Sequence, residues 1–177
     1  MIKILSGKYK GRKLNNFNHD HIRPTQAKVK KSMMDTLMPF QDKTILDLFS
    51  GVGSLGIEAI SRGAQAVCFV DNNPKAINIL KKNLKILNLE EEVIKIKFSD
   101  VFKYLDVLHN DKQKFDIVIA DPPYYKFTFE DMKNMVEPIL SNSGVFCYES
   151  DKSEIDCSSD LKIKRFGNTQ LTFWRKI

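Results

Sequence analysis

The chain has 177 residues, 42% of them apolar and 28% charged, the balance of a globular protein with one hydrophobic core. No apolar run approaches the roughly 20 residues that cross a bilayer, and Met1-Ile2-Lys3-Ile4-Leu5 is too short and too soon charged for a signal peptide, so a cytoplasmic protein is expected. The net charge of +6 is unevenly placed: residues 1–43 hold ten Lys/Arg against three Asp/Glu, and the other 134 hold eighteen against nineteen. A basic segment on a near-neutral body suits a polyanionic partner, and equally a solvated, lysine-rich surface. Cys68, Cys147 and Cys157 show no CxxC spacing, and His19, His21 and His109 add no ligand pattern. Free thiols, buried at 68 and 147, and no metal are the expectation.

In chain order, residues 2–14 read as a hairpin with glycines at 7 and 11. Arg23-Pro24-Thr25 reads as an extended entry into a helix over about 26–38, capped by Thr25 and stopped by Pro39. Val29, Met33, Met34 and Leu37 share one face of it, with Lys28, Lys30 and Lys31 placed elsewhere. From Lys43 the pattern alternates. Strands are expected at 44–49, 66–71, 93–99, 116–120, 144–149, 161–166 and 169–175, and helices at 54–62, 74–88, about 102–108 and 129–141. Runs such as Ile117-Val118-Ile119-Ala120 suit central parallel strands covered on both faces. Only Gly167-Asn168 separates the last two strands, which forces an antiparallel hairpin. The fold class is therefore α/β: a doubly wound, mostly parallel seven-stranded sheet with an antiparallel C-terminal hairpin and a small N-terminal hairpin and helix extension. Residues 1–177 read as a single domain, 1–42 being the basic extension and 43–177 the core.

Two stretches carry chemistry. Asp47-Leu48-Phe49-Ser50-Gly51-Val52-Gly53-Ser54-Leu55-Gly56 ends a strand and opens a helix, and Asp71 lies 20 residues beyond Gly51. Strand, glycine loop, helix N-terminus and acid together bind a nucleoside-containing ligand, either a nicotinamide dinucleotide or S-adenosylmethionine. Asp47 tilts the choice, because an acid there is odd against a pyrophosphate but suits the ammonium of a methionine moiety. The second stretch is Asp116-Ile117-Val118-Ile119-Ala120-Asp121-Pro122-Pro123-Tyr124. Its prolines stiffen the backbone beside Asp121, so a carboxylate and a rigid carbonyl can accept both hydrogens of an aromatic amino group, while Tyr124 can stack on the ring.

The pairing of Asp47-x-Phe49-x-Gly51-x-Gly53 with Asp121-Pro122-Pro123-Tyr124 resembles class I methyltransferases that act on amino groups of bases. The start, Ser6-Gly7-Lys8-Tyr9-Lys10-Gly11-Arg12-Lys13-Leu14 followed by Arg23-Pro24-Thr25, resembles the RsmD family of bacterial 16S ribosomal RNA guanine-N2 methyltransferases. The likeness runs nearly end to end, through Glu149 and the terminal hairpin, and departs at Val29-Lys30-Lys31, where the family usually shows Val-Arg-Glu. It implies a Rossmann-like class I methyltransferase fold with S-adenosylmethionine as cofactor. It places Asp71 and Asn72 at the ribose, Asp100 and Val101 at the adenine, and Asp47, Ser50, Gly51 and Gly53 at the methionine end. Catalysis would fall to Asp121, Pro122 and Tyr124. Lys8, Lys10, Arg12, Lys13 and Arg23 would contact RNA, as ribosomal RNA or a small-subunit assembly particle, with the enzyme a monomer. The rivals are an adenine-N6 methyltransferase on DNA or other RNA, an NAD-dependent oxidoreductase, and a non-catalytic RNA-binding protein on this scaffold. Against the oxidoreductase stand the Asp121 tetrapeptide and the antiparallel hairpin.

Overall fold

The apolar runs become the middle of a seven-stranded sheet. The computed structural model describes residues 2–17, 27–89, 91–123, 127–152 and 160–177. β1 (Ile2–Lys3) pairs antiparallel with β2 (Lys13–Leu14), and α1 spans Ala27–Leu37. The alternation follows: β3 (Thr44–Leu48), α2 (Ser54–Ser61), β4 (Ala66–Asp71), α3 (Pro74–Ile86), β5 (Ile94–Phe98), α4 (Val101–Asn110), β6 (Phe115–Ala120) and α5 (Phe129–Val136). β7 (Leu140–Asp151), β8 (Leu161–Phe166) and β9 (Thr169–Arg175) complete it. The sheet order is β5-β4-β3-β6-β7-β9-β8, parallel up to β7 and antiparallel at β7/β9 and β9/β8. Successive strands are added outward on one side from β3 to β5 and on the other side from β6, and the crevice at such a switch point between β3 and β6 is where open α/β sheets bind ligands.

Side-chain alternation along the strands builds a core on each face. Ile45, Val67, Phe69, Ile117 and Ile119 face α1, α2, α3 and the N-terminal hairpin. Leu46, Leu48, Cys68, Val70, Val118 and Ala120 face α4 and α5. Cys68 and Cys147 are buried free thiols, as the apolar surroundings predict; Cys157 lies outside the described residues. Among the described residues no helix is long and apolar enough to cross a membrane.

Two expectations are corrected. The helix expected to run to Ser141 stops at Val136, because Pro138 lacks an N–H and would clash with the preceding turn. The chain passes through one 3₁₀ turn, Glu137–Ile139, and β7 begins at Leu140 rather than 144. Lys30, expected off the apolar face of α1, is only 2% exposed. Its spacing of three and four from Met33 and Met34 puts it on the buried stripe, where its ammonium meets the Glu58 carboxylate at 3.3 Å and donates to the Lys3 carbonyl at 2.9 Å. Thr25, the expected cap of α1, lies outside the described residues.

Candidate active site at the carboxyl edge of the sheet

The ends of β3, β4, β5 and β6 bring most of the sequence-predicted residues to one edge. Beyond β3 the backbone turns through the left-handed region at Phe49 (φ 58°), Gly51 (φ 54°) and Gly53 (φ 83°). A phenylalanine in that region is strained, a condition that clusters at functional sites. A Cβ added at Gly51 would meet nothing within 4 Å, so the loop there opens away from the protein. Asp71, at the end of β4, organises this loop. One carboxylate oxygen accepts from the Gly51 N–H at 2.7 Å and the other from the Asn73 N–H at 2.7 Å. A carboxylate has about four acceptor positions, so both oxygens keep capacity for hydroxyl donors. Asn72, between them in sequence, is exposed, and Asn73 caps α3 by accepting from Lys75 and Ala76. A cavity of about 310 Å³ next to this turn is lined by Phe17, Asn73, Pro74 and Lys75.

Asp47 lies beneath the glycine loop, 1% exposed. Its Oδ2 accepts from the Gly56 N–H at 2.8 Å, while Oδ1 is buried with no hydrogen-bond partner among the described residues; the buried Ser50 hydroxyl is likewise unpartnered. Burial pushes the Asp47 carboxyl up to about 7; the Gly56 N–H opposes that rise, and the charges of Asp121 and Asp71 add to it. At the end of β5, Asp100 caps α4, accepting from the Phe102 and Lys103 N–H groups at 3.0 and 3.2 Å, with Val101 buried as the first helical residue. Capping and ligand binding are compatible here, because both Asp100 bonds fall on Oδ1.

Asp121 follows β6 directly. Leu48 is in register with Ala120 and Ala120 with Tyr148, so Asp121 emerges between the end of β3 and β7. Pro122 is buried and Pro123 exposed; Tyr124 lies outside the described residues. The loop re-enters the described structure at Phe127, whose ring lies 5.8 Å from that of Phe49 and 4.7 Å from that of Phe102. Among the described residues no His, Cys, Asp and Glu group is arranged to hold a metal ion.

The N-terminal arm docks on the far end of α2 through its backbone. Glu58, fully buried, accepts from the Leu5 and Ser6 N–H groups at 2.8 and 3.0 Å and from Arg62 Nε at 3.0 Å, besides pairing with Lys30. Ser61 receives the Tyr9 and Lys8 N–H groups on its hydroxyl and carbonyl. A Cβ at Gly7 (φ 81°) would lie 1.7 Å from the Ser61 carbonyl oxygen, so only glycine allows this approach. Lys8, Lys10, Arg12 and Lys13 are exposed; Arg12 donates to the Ile86 carbonyl at the end of α3. Arg23 lies outside the described residues.

Sequence reasoning missed Asn83. It is fully buried on α3, accepts from the Asn15 N–H at 2.7 Å, and donates to the carbonyls of Asn15 and Val52 at 3.1 and 3.0 Å. One amide thus ties the arm to the glycine loop. The signal was available: Asn83 continues the buried stripe of Ala76 and Leu80, and a polar residue there needs partners.

The family model described as "Conserved hypothetical protein 95" matches residues 2–175. The chain is 34% identical to YlbH of Bacillus subtilis, provisionally named an rRNA methyltransferase, over 99% of each chain. It is 37% identical to "Ribosomal RNA small subunit methyltransferase D" of Haemophilus influenzae over 70% of this chain and 64% of that protein, so it spans less than two thirds of that relative. Among solved structures, yhhF of Escherichia coli, provisionally a methyltransferase, superposes with a TM-score of 0.82 at 26% identity, covering 99% of this chain and 97% of that one.

Proposed function

The chain belongs to the RsmD family, and from that premise we propose that it methylates the exocyclic N2 amino group of a guanine in small-subunit ribosomal RNA. S-adenosylmethionine is the cofactor; its sulfonium supplies an electrophilic methyl group. The residues present fit it on one observation, the buried Asp47 with an oxygen unpartnered among the described residues, which suits a cationic α-ammonium beneath the glycine loop. Asp71, with spare acceptor positions on both oxygens, takes the ribose hydroxyls, Asn72 and Val101 flank the nucleoside, and Asp100 Oδ2 takes the adenine amino group. Gly51 and Gly53 let the backbone approach the methionine end, beside Ser50.

The observation that carries the substrate reading is the emergence of Asp121-Pro122 beside this pocket, one strand from the glycine loop. Asp121 and the Pro122 carbonyl accept the two hydrogens of a guanine N2 amino group, and Tyr124 stacks on the ring. Gripping both hydrogens draws the nitrogen lone pair out of conjugation and points it at the methyl donor. Positioning of that kind saves roughly 7–11 kcal/mol of barrier. When bound, the cofactor would supply its methyl group to that nitrogen and leave as S-adenosylhomocysteine, and the proton of the resulting cationic amine would pass to water. Lys8, Lys10, Arg12, Lys13 and Arg23 position the RNA through phosphates.

The test is methyl transfer from labelled S-adenosylmethionine to small-subunit RNA and to the assembled particle, with nucleosides identified by mass spectrometry. N2-methylguanosine is the expected product. N6-methyladenosine, or transfer to duplex DNA alone, overturns the guanine reading.

A further inference from the structure

We propose that Tyr148 is a positioning residue for methyl transfer, its hydroxyl fixing the exit of the loop that carries Asp121 and Pro122; this rests on the role proposed above for that loop. The loop leaves β6 at Ala120, which the sheet holds in register with Leu48 and Tyr148. Its other end is gripped three ways. The Tyr148 hydroxyl donates to the Phe127 carbonyl at 2.6 Å. The Phe127 ring packs against those of Phe49 and Phe102. Thr128 and Asp131 close a capping box, with the Thr128 hydroxyl accepting from the Asp131 N–H at 3.1 Å.

Of these grips, the hydroxyl alone comes from a strand of the central sheet. Tyr148 is 2% exposed, and its ring lies 6.0 Å from that of Phe129 and 6.1 Å from that of Phe146, so its hydroxyl is aimed by the core. Burial, with the charges of Asp131 and Asp121, pushes its pKa up to about 12, so the hydroxyl remains a donor throughout the working pH range. Only six residues, 121–126, separate Ala120 from Phe127, and two of them are prolines. Pro122 and Pro123 restrict the backbone at the start of so short a connection, so a shift at Phe127 is felt at Asp121, and small misplacements of reacting groups are costly in rate. An ordinary core position in the run Phe146-Cys147-Tyr148 needs no hydroxyl.

Tyr148→Phe keeps the buried ring and removes only the donor. The expected result is a kcat lower by about tenfold, the fold-change matching one ordinary net hydrogen bond, with the RNA KM and the S-adenosylhomocysteine Kd within about twofold of the parent. Hydrogen exchange of the 121–128 peptide should quicken while the β3 and β4 peptides stay unchanged. Unchanged kcat with unchanged exchange overturns the proposal, as does a parallel loss of kcat, cofactor affinity and Tm, which marks general loosening. If the parent protein transfers no methyl group to RNA, the guanine reading fails by itself, and the exchange measurement still decides Tyr148: quickening confined to 121–128 supports the role, and its absence overturns it.

Discussion

Two carboxylates lie buried against the same helix, α2, and they are treated in opposite ways. Glu58, at its C-terminal end, receives two backbone N–H groups and two cations, Lys30 and Arg62. Asp47, reaching its N-terminal end from β3, receives one N–H, from Gly56, and keeps a buried oxygen without a partner among the described residues. Burying a carboxylate is costly unless it is paired and hydrogen-bonded. At Glu58 the surroundings offset that cost and the product is architecture: the arm is fastened to the core. At Asp47 the cost is left standing, and the carboxyl is pushed up to about 7. A carboxylate left short of one cation suits the ammonium proposed for it above.

The comparison breaks first at Glu58. Glu58→Ala strands Lys30, already lowered from the usual lysine pKa chiefly by burial and held up by Glu58, and frees the Leu5 and Ser6 N–H groups. Removing one member of a buried ion pair costs about 3–5 kcal/mol, read as a lower urea midpoint. A loss within about 0.5 kcal/mol, the range of plain surface changes, would show that the arm's anchor lies elsewhere.

Asp47→Asn should behave in reverse. The amide oxygen can still accept from Gly56, so folding stability should be unchanged or raised, while S-adenosylhomocysteine affinity falls by about 1.5–3 kcal/mol, the worth of a hydrogen bond to a charged group. Calorimetry on the folded variant decides it, and unchanged affinity would remove Asp47 from the cofactor site.

A smaller effect follows from the raised carboxyl. Neutral Asp47 offers an ammonium no charge, so cofactor affinity should fall with acidity, by about tenfold between pH 8 and pH 6 for a group titrating near 7. Folding stability runs the other way. The native state holds this proton more tightly than the unfolded chain, so the contribution is complete below about pH 4 and is lost as pH rises through about 7. Asp47→Asn should flatten both dependences; a pH profile of affinity identical to the parent's would mean another group titrates.

The two carboxylates also mark how far the sequence could be read. The glycine loop, Asp71, Asp100 and Asp121 were legible because each closes a strand in a regular alternation, and the carboxyl edge gathers strand ends whatever the packing. The two-residue turn at Gly167-Asn168 dictated the antiparallel end of the sheet. Glu58, Lys30 and Asn83 were not legible, since their partners lie up to 68 residues away in the chain and only the fold brings them together. Helix α5 was read too long because periodicity outweighed Pro138. Tyr148 lies within the strand expected at 144–149, and its hydroxyl is informative only once Phe127 stands opposite it.

The smallest effect on folding should come from the arm's own lysines. Glu58 and Ser61 hold the arm by backbone groups at Leu5, Ser6, Lys8 and Tyr9, so the charged side chains are not what fastens it. Lys8, Lys10 and Lys13 are exposed, whereas Arg12 also grips the Ile86 carbonyl and is better left in place. Replacing the three lysines by Ala should change stability by no more than about 0.5 kcal/mol, as surface substitutions do. RNA affinity should weaken and its log–log salt slope flatten by about 0.7–0.9 for each phosphate no longer neutralised. Cofactor affinity should stay, because Asp47, Gly51 and Asp71 are untouched. Titrations of small-subunit RNA across a salt series, for parent and variant, read this directly. Equal slopes would make these lysines a solvated surface and confine the arm's role to architecture, joining it to Glu58 rather than to the substrate.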